Sequence, residues 1–121
     1  MENNTIDNII EIIKNSAKPI KYSENTYLIT TPFFNNLGEP FTVAVVIISD
    51  NSFILTDLGH TLEGMKDVLN NVILEAKINK IMEKMNVKCV DGQIFIKTDN
   101  ESLLFAYDLL IRSLILIDNV I

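Results

Sequence analysis

The sequence predicts an α+β fold, with an antiparallel three-stranded meander and a second β-hairpin packed against about four helices. Three observations carry this expectation. Residues 41 to 49 are almost continuously apolar and β-branched, Asp91-Gly92 separates two short strand-like runs, and four other stretches repeat apolar residues at helical spacing.

Taken in order, Ile6, Ile9, Ile10 and Ile13 form a helical stripe behind Asn4 and Thr5, so residues 5 to 16 are expected as an amphipathic helix ended by Pro19. Residues 27 to 31 are rich in β-branched and aromatic side chains and are expected to stop at Pro32, which lacks an amide hydrogen. Asn35, Asn36, Gly38 and Pro40 mark a loop. The run containing Val43, Ala44, Val45, Val46, Ile47 and Ile48 shows no alternation, which predicts a central strand at least partly covered on both faces. Asp50 and Asn51 tolerate positive φ and turn it directly into residues 53 to 56.

A short helix is expected from about Thr61, with Leu62, Met65 and Leu69 on one side. Leu74, Ile78, Ile81, Met82 and Met85 make the stripe of a second, with Lys80 and Lys84 near its end where cations suit the helix dipole. Residues 87 to 90 and 93 to 97 then flank Asp91-Gly92, a strong hairpin signal because both residues of a two-residue type I′ turn need positive φ. Thr98, Asp99 and Asn100 are candidate caps for the final helix, with Glu101 in its first turn. In that helix Glu101, Asp108, Arg112 and Asn119 fall on one narrow line and almost everything else is apolar. It is either the central packing element of the fold or a surface for a second copy of the chain.

A length of 121 residues is that of one domain, 1–121, and a composition of 48% hydrophobic and 21% charged residues is that of a folded one. The net charge of −6 and the single arginine, Arg112, argue against nucleic acid, which is held by clustered cations; Lys14, Lys18 and Lys21 are the nearest approach to a basic patch. Cys89 is the only cysteine, so no intrachain disulfide forms and a cytoplasmic location is expected. The first residues lack the pattern of a secretory signal. Asp108 and Arg112 interrupt the apolar stretch from 103 to 121, which falls short of the roughly 18 uninterrupted apolar residues of a spanning helix, so no membrane association is expected.

Thr31-Pro32-Phe33, Gly38 ahead of the long strand, Leu55-Thr56-Asp57-Leu58-Gly59 with Thr61, Asp91-Gly92 and the apolar last helix together resemble the domain-of-unknown-function 1828 family, small bacterial and phage domains. The resemblance spans roughly residues 24 to 118. It implies a fold and a bacterial or phage setting, and no activity. Two departures stand out: the segment between the hairpins is shorter than the family pattern, and Lys77 stands where an arginine is more usual.

Thr56, Asp57, Gly59, His60 and Thr61 are the best polar cluster, joined by Thr31 as a candidate ligand-binding set. Asp57 would orient His60 for proton transfer beside a helix N-terminus that accepts an anion. The structural alternative has Asp57 satisfying turn amides, Gly59 at positive φ and Thr61 capping the helix. No catalytic set, metal site or cofactor is expected: His60 and Cys89 are the only soft ligands, no serine sits in a nucleophile elbow, and the four glycines are too dispersed for a phosphate loop. Phe33 and Phe34, adjacent aromatics in an Asn-rich loop ending near Glu39, are candidate anchors for a protein partner, or else cover the core and a strand edge.

Two functional expectations follow. The first is a small acidic, non-enzymatic interaction module, such as a phage or prophage inhibitor of a bacterial defence protein. The second is a small-molecule or nucleotide-binding domain with its site at the strand-to-helix junction, residues 56 to 61. Homodimerisation through the last helix is compatible with either.

Overall fold

A computed structural model describes residues 20–65 and 71–120. The expected helix at residues 5 to 16, and Leu69 of the next, lie outside the described residues. The elements are β1 (Ile20–Ser23), β2 (Thr26–Phe34), β3 (Pro40–Ser49), β4 (Ser52–Thr56), α1 (His60–Gly64), α2 (Val72–Met85), β5 (Lys88–Val90), β6 (Gln93–Thr98) and α3 (Leu103–Asp118). The class is α+β, with three helices among the described residues.

The expected meander and hairpin are one structure: a six-stranded sheet of order β1-β2-β3-β4-β6-β5, antiparallel throughout. The second hairpin docks through β6 onto β4, pairing Phe53 with Thr98 and Leu55 with Ile96. β1 was not expected. Its four residues are all exposed, so burial imprints no apolar alternation on them. β2 also runs past Pro32 to Phe34, because a register shift between Thr30 and Phe34 takes the proline out of the hydrogen-bond ladder.

Strand parity sorts the faces. Ile29, Val43, Val45, Phe53, Leu55 and Ile94 point into the core with Leu103, Leu110, Leu114 and Ile117 of α3. Ala44 and half-buried Leu28, Val46, Ile54 and Phe95 belong to the opposite face and stand outside that core. The lack of alternation in β3 accompanies burial on both faces, since Ala44 is buried and Val46 half-buried opposite the core. One face carries the core, and on the other Ala44 and Val46 stand beside their cross-strand neighbours Leu28, Thr56 and Ile54.

The helices follow their apolar stripes. In α2, Ile78 is buried while Ile81, Met82 and Met85 pack against the core. Asn71 caps its start by accepting the N–H groups of Ile73 and Leu74 at 2.9 and 3.4 Å. In α3 the polar line is exposed as expected, with Arg112 Nε donating to Asp108 Oδ2 at 2.7 Å. Its start differs from expectation: Ser102 is the N-cap residue, Asp99 accepts the Ser102 N–H at 2.9 Å, and Glu101 precedes the helix. Asn100 turns away to bond the β3–β4 turn, donating to Asn51 Oδ1 and the Asp50 carbonyl.

Candidate functional site

The end of β4 and the β5–β6 turn meet at Asp57. Its side chain, 1% exposed, continues the inward face of β4 and points between backbones. One carboxylate oxygen accepts the Gly59 N–H at 2.8 Å and the Ile94 N–H at 2.9 Å, and the other accepts the Thr61 N–H at 3.1 Å. The backbone adds two bonds, Asp57 N–H to the Ile94 carbonyl and His60 N–H to the Asp57 carbonyl. One carboxylate therefore ties β4, α1 and β6 together.

The turn after it needs two left-handed residues. Leu58 and Gly59 have φ of 59° and 84°, the pattern of a type I′ turn closed by the His60–Asp57 bond. Asp91 and Gly92, with φ of 53° and 79°, form the other type I′ turn. The two turns touch: a Cβ on Gly59 would lie 3.4 Å from the Gly92 carbonyl oxygen. Glycine at 59 is thus required by both conformation and approach.

This geometry decides the roles of the cluster. Asp57 does not orient His60, since its oxygens accept backbone N–H groups and His60 is exposed. Thr61 does not cap α1. It lies inside the helix, Gly59 is the N-cap residue, and Asp57 receives the Thr61 N–H in place of a cap. Thr56 accepts the Leu58 N–H at 3.1 Å and reaches Gln93. Thr31 is not part of the cluster: its hydroxyl, 2% exposed overall, bonds the N–H and carbonyl of Phe33 and stabilises the β2 bulge.

His60 lines a small cleft with Asn36, Leu37, Phe41, Met65 and Asp118. Its volume is about 100 Å3. Pockets for small molecules run to roughly 300–1,000 Å3, so this cleft suits a few waters or one side chain better than a nucleotide.

The wall of the cleft is the β2–β3 loop. Asn35 holds it from within: its side-chain oxygen accepts the N–H groups of Leu37 and Glu39 at 2.9 Å, its N–H donates to the Glu39 carbonyl, and its carbonyl accepts the Gly38 N–H. Asn36 ties the loop to the end of α3. Its N–H donates to Asp118 Oδ2 and its side-chain amide donates to the Asp118 carbonyl, both at 2.8 Å. On this fixed frame Phe33, Phe34 and Leu37 are 46, 64 and 71% exposed, beside the exposed Glu39. Sequence reasoning marked the two phenylalanines but missed Leu37, Asn36 and Asp118. The Asn-Asn-x-Gly pattern signals a turn, yet nothing local announces a partner 82 positions away.

Cys89 sits on edge strand β5. Desolvation pushes its thiol above the ordinary value, a hydrogen bond with the Gly92 backbone opposes this, and the Asp57 charge adds to the rise. The rise leaves less thiolate at neutral pH than an unperturbed cysteine carries. Among the described residues no three His, Cys, Asp or Glu side chains are placed to hold a metal ion, and no helix is long and apolar enough to cross a membrane.

The model of the family described as Domain of unknown function DUF1828 matches residues 31–117. The chain belongs to this family. The matched segment begins in the Thr31 bulge and ends one residue before Asp118, so it holds both type I′ turns and the loop but excludes β1. No curated protein and no solved structure matches the chain.

Proposed function

We propose that this DUF1828 domain is a non-enzymatic protein-binding module that docks through the β2–β3 loop. One observation carries the reading: Phe33 and Phe34 at the end of β2 and Leu37 in the loop that follows are presented to solvent, and the loop backbone is held by Asn35 and by the Asn36–Asp118 pair. Rigid apolar side chains inside a polar rim are the usual anchors of an interface, because little conformational entropy is lost when they bind. Glu39, Asp118 and the overall charge of −6 favour a partner with a basic surface. Inhibition of a bacterial defence protein, in a phage or prophage setting, is the specific form of this reading. Support for it comes from the acidity and small size of the chain.

The test compares the wild-type chain with Phe34→Ala/Leu37→Ala as baits in bacterial lysate. A partner retained by the first and lost by the second supports the reading; equal retention, or no partner at any salt concentration, rejects it. The small-molecule alternative at residues 56 to 61 has less support, because Asp57 is committed to three backbone N–H groups, although an open depression of about 350 Å3 lined by Leu58, Gly59, His60, Asp91 and Gly92 adjoins it on the other side from the cleft at Asn36. Homodimerisation through α3 is the proposal supported by its exposed Leu104, Phe105 and Leu116. Light scattering that gives a monomer mass at high concentration rejects it.

A further inference from the structure

The cleft beside His60 carries one sign of charge. Two carboxylates line it, buried Asp57 and half-buried Asp118, and none of the described residues around it is a lysine or an arginine. Asp118 is the last residue of α3, a helix of 16 residues, so its carboxylate stands at the negative end of the helix dipole. Both effects favour a cation.

The geometry around Asp118 is set before anything binds. Its Oδ2 accepts the Asn36 N–H and its carbonyl accepts the Asn36 side-chain amide, both at 2.8 Å, which holds the carboxylate in one orientation and leaves Oδ1 to accept from a ligand. With its amide nitrogen committed to Asp118, Asn36 offers its own side-chain oxygen as a second acceptor in the lining. Acceptors already ordered lose little conformational entropy on binding.

Size and wall chemistry narrow the cation to a side chain. A volume of about 100 Å3 equals roughly three waters at ~30 Å3 each, room for a head group rather than a ring-bearing metabolite. Leu37, Phe41 and Met65 supply apolar wall for an aliphatic stem. A guanidinium fits this setting better than an ammonium: it is planar, more weakly hydrated, and presents N–H groups in a fixed fork to carboxylate and amide oxygens. Leu37 belongs both to the cleft wall and to the exposed apolar patch with Phe33 and Phe34, so a partner seated on that patch borders the cleft.

We propose that this cleft is a socket for an arginine side chain of the partner protein, with Asp118 receiving the guanidinium. The socket rests on docking through the β2–β3 loop and names what the partner brings there: an arginine flanked by apolar groups that meet Phe34 and Leu37.

The experiment titrates acetyl-arginine amide into the isotope-labelled full chain and follows the amide resonances, with acetyl-citrulline amide, its uncharged isostere, and acetyl-lysine amide as comparisons. Saturable shifts at Asn36, Leu37 and Thr61 are expected at millimolar concentrations of the arginine compound, with binding roughly fivefold weaker for the other two. Arginine binding should weaken by a similar factor in Asp118→Asn, whose amide oxygen still accepts the Asn36 N–H, and in His60→Arg, which leaves that clasp intact and brings a cation to the cleft. No saturable shift, equal affinity for citrulline or lysine, or unchanged affinity in both variants overturns the socket. Lysate capture separates this failure from that of the docking reading. A partner lost by Phe34→Ala/Leu37→Ala but held equally by wild type and Asp118→Asn overturns the socket alone; one held equally by all three baits overturns docking through the loop and the socket with it.

Discussion

The Asp57 junction and the β2–β3 loop use one device for opposite ends. In each, an Asx side chain accepts backbone N–H groups and so substitutes for regular secondary structure: Asp57 accepts three and Asn35 two. At Asp57 the acceptor is ionisable, 1% exposed, and joins segments 37 residues apart, so its polarity is consumed by the fold. At Asn35 the acceptor is local, and what it stabilises is a loop that carries exposed Leu37 beside exposed Phe33 and Phe34 at the end of β2. The difference teaches that a polar side chain can be spent on the backbone, as both Asp57 oxygens are, while the apolar side chains of Phe33, Phe34 and Leu37 stay at the surface.

The contrast is broken most directly at Asp57. Asp57→Ala leaves three backbone N–H groups unpaired around a buried void and should cost on the order of 4 kcal/mol, read as a lower midpoint in urea. A loss below about 1 kcal/mol would show that water replaces the carboxylate and that the site is open to ligands after all. At the loop the expectation reverses: Phe34→Ala/Leu37→Ala should weaken partner binding by about 2 kcal/mol, near thirtyfold, with a melting curve unchanged within error. Asn36→Ala tests the frame itself. Losing its amide bond to the Asp118 carbonyl should cost about 1 kcal/mol of stability, and binding should weaken although no contact residue has changed.

Smaller effects sharpen the comparison. Leu58 holds a left-handed conformation that costs a branched residue roughly 1–2 kcal/mol, so Leu58→Gly should raise thermal stability by something under about 1 kcal/mol once chain entropy is subtracted. For Cys89 the folded thiol holds its proton to higher pH than the unfolded one. The fold therefore binds more protons in that interval, and stability falls as pH rises from the ordinary thiol range through the raised value. Cys89→Ser should flatten that alkaline slope in denaturant titrations, and alkylation of the native thiol at neutral pH should be slower than that of an unfolded peptide.

Much of the scaffold was legible before any coordinates. Asp91-Gly92 specified a type I′ turn because few other pairs tolerate two positive φ angles, and the stripe through Ile78, Ile81 and Met82 specified the packed face of α2. Asp57 was legible as a turn acceptor, but its third bond, to Ile94, depended on bringing β6 against β4. β1 was illegible because an exposed edge strand buries nothing and so carries no periodicity. The register that made one sheet from two hairpins, and the Asn36–Asp118 clasp, are long-range pairings between residues with no mark of each other.

What the sequence by itself determined is local: where the backbone turns at Asp91-Gly92, and which faces of α2 and α3 are apolar. These follow from φ preferences and side-chain period within a few positions. Tertiary structure alone decided which polar groups are consumed and which apolar groups are left over. Burial and hydrogen-bond satisfaction are properties of the packed whole, settled only when strands and helices distant along the chain compete for the same core.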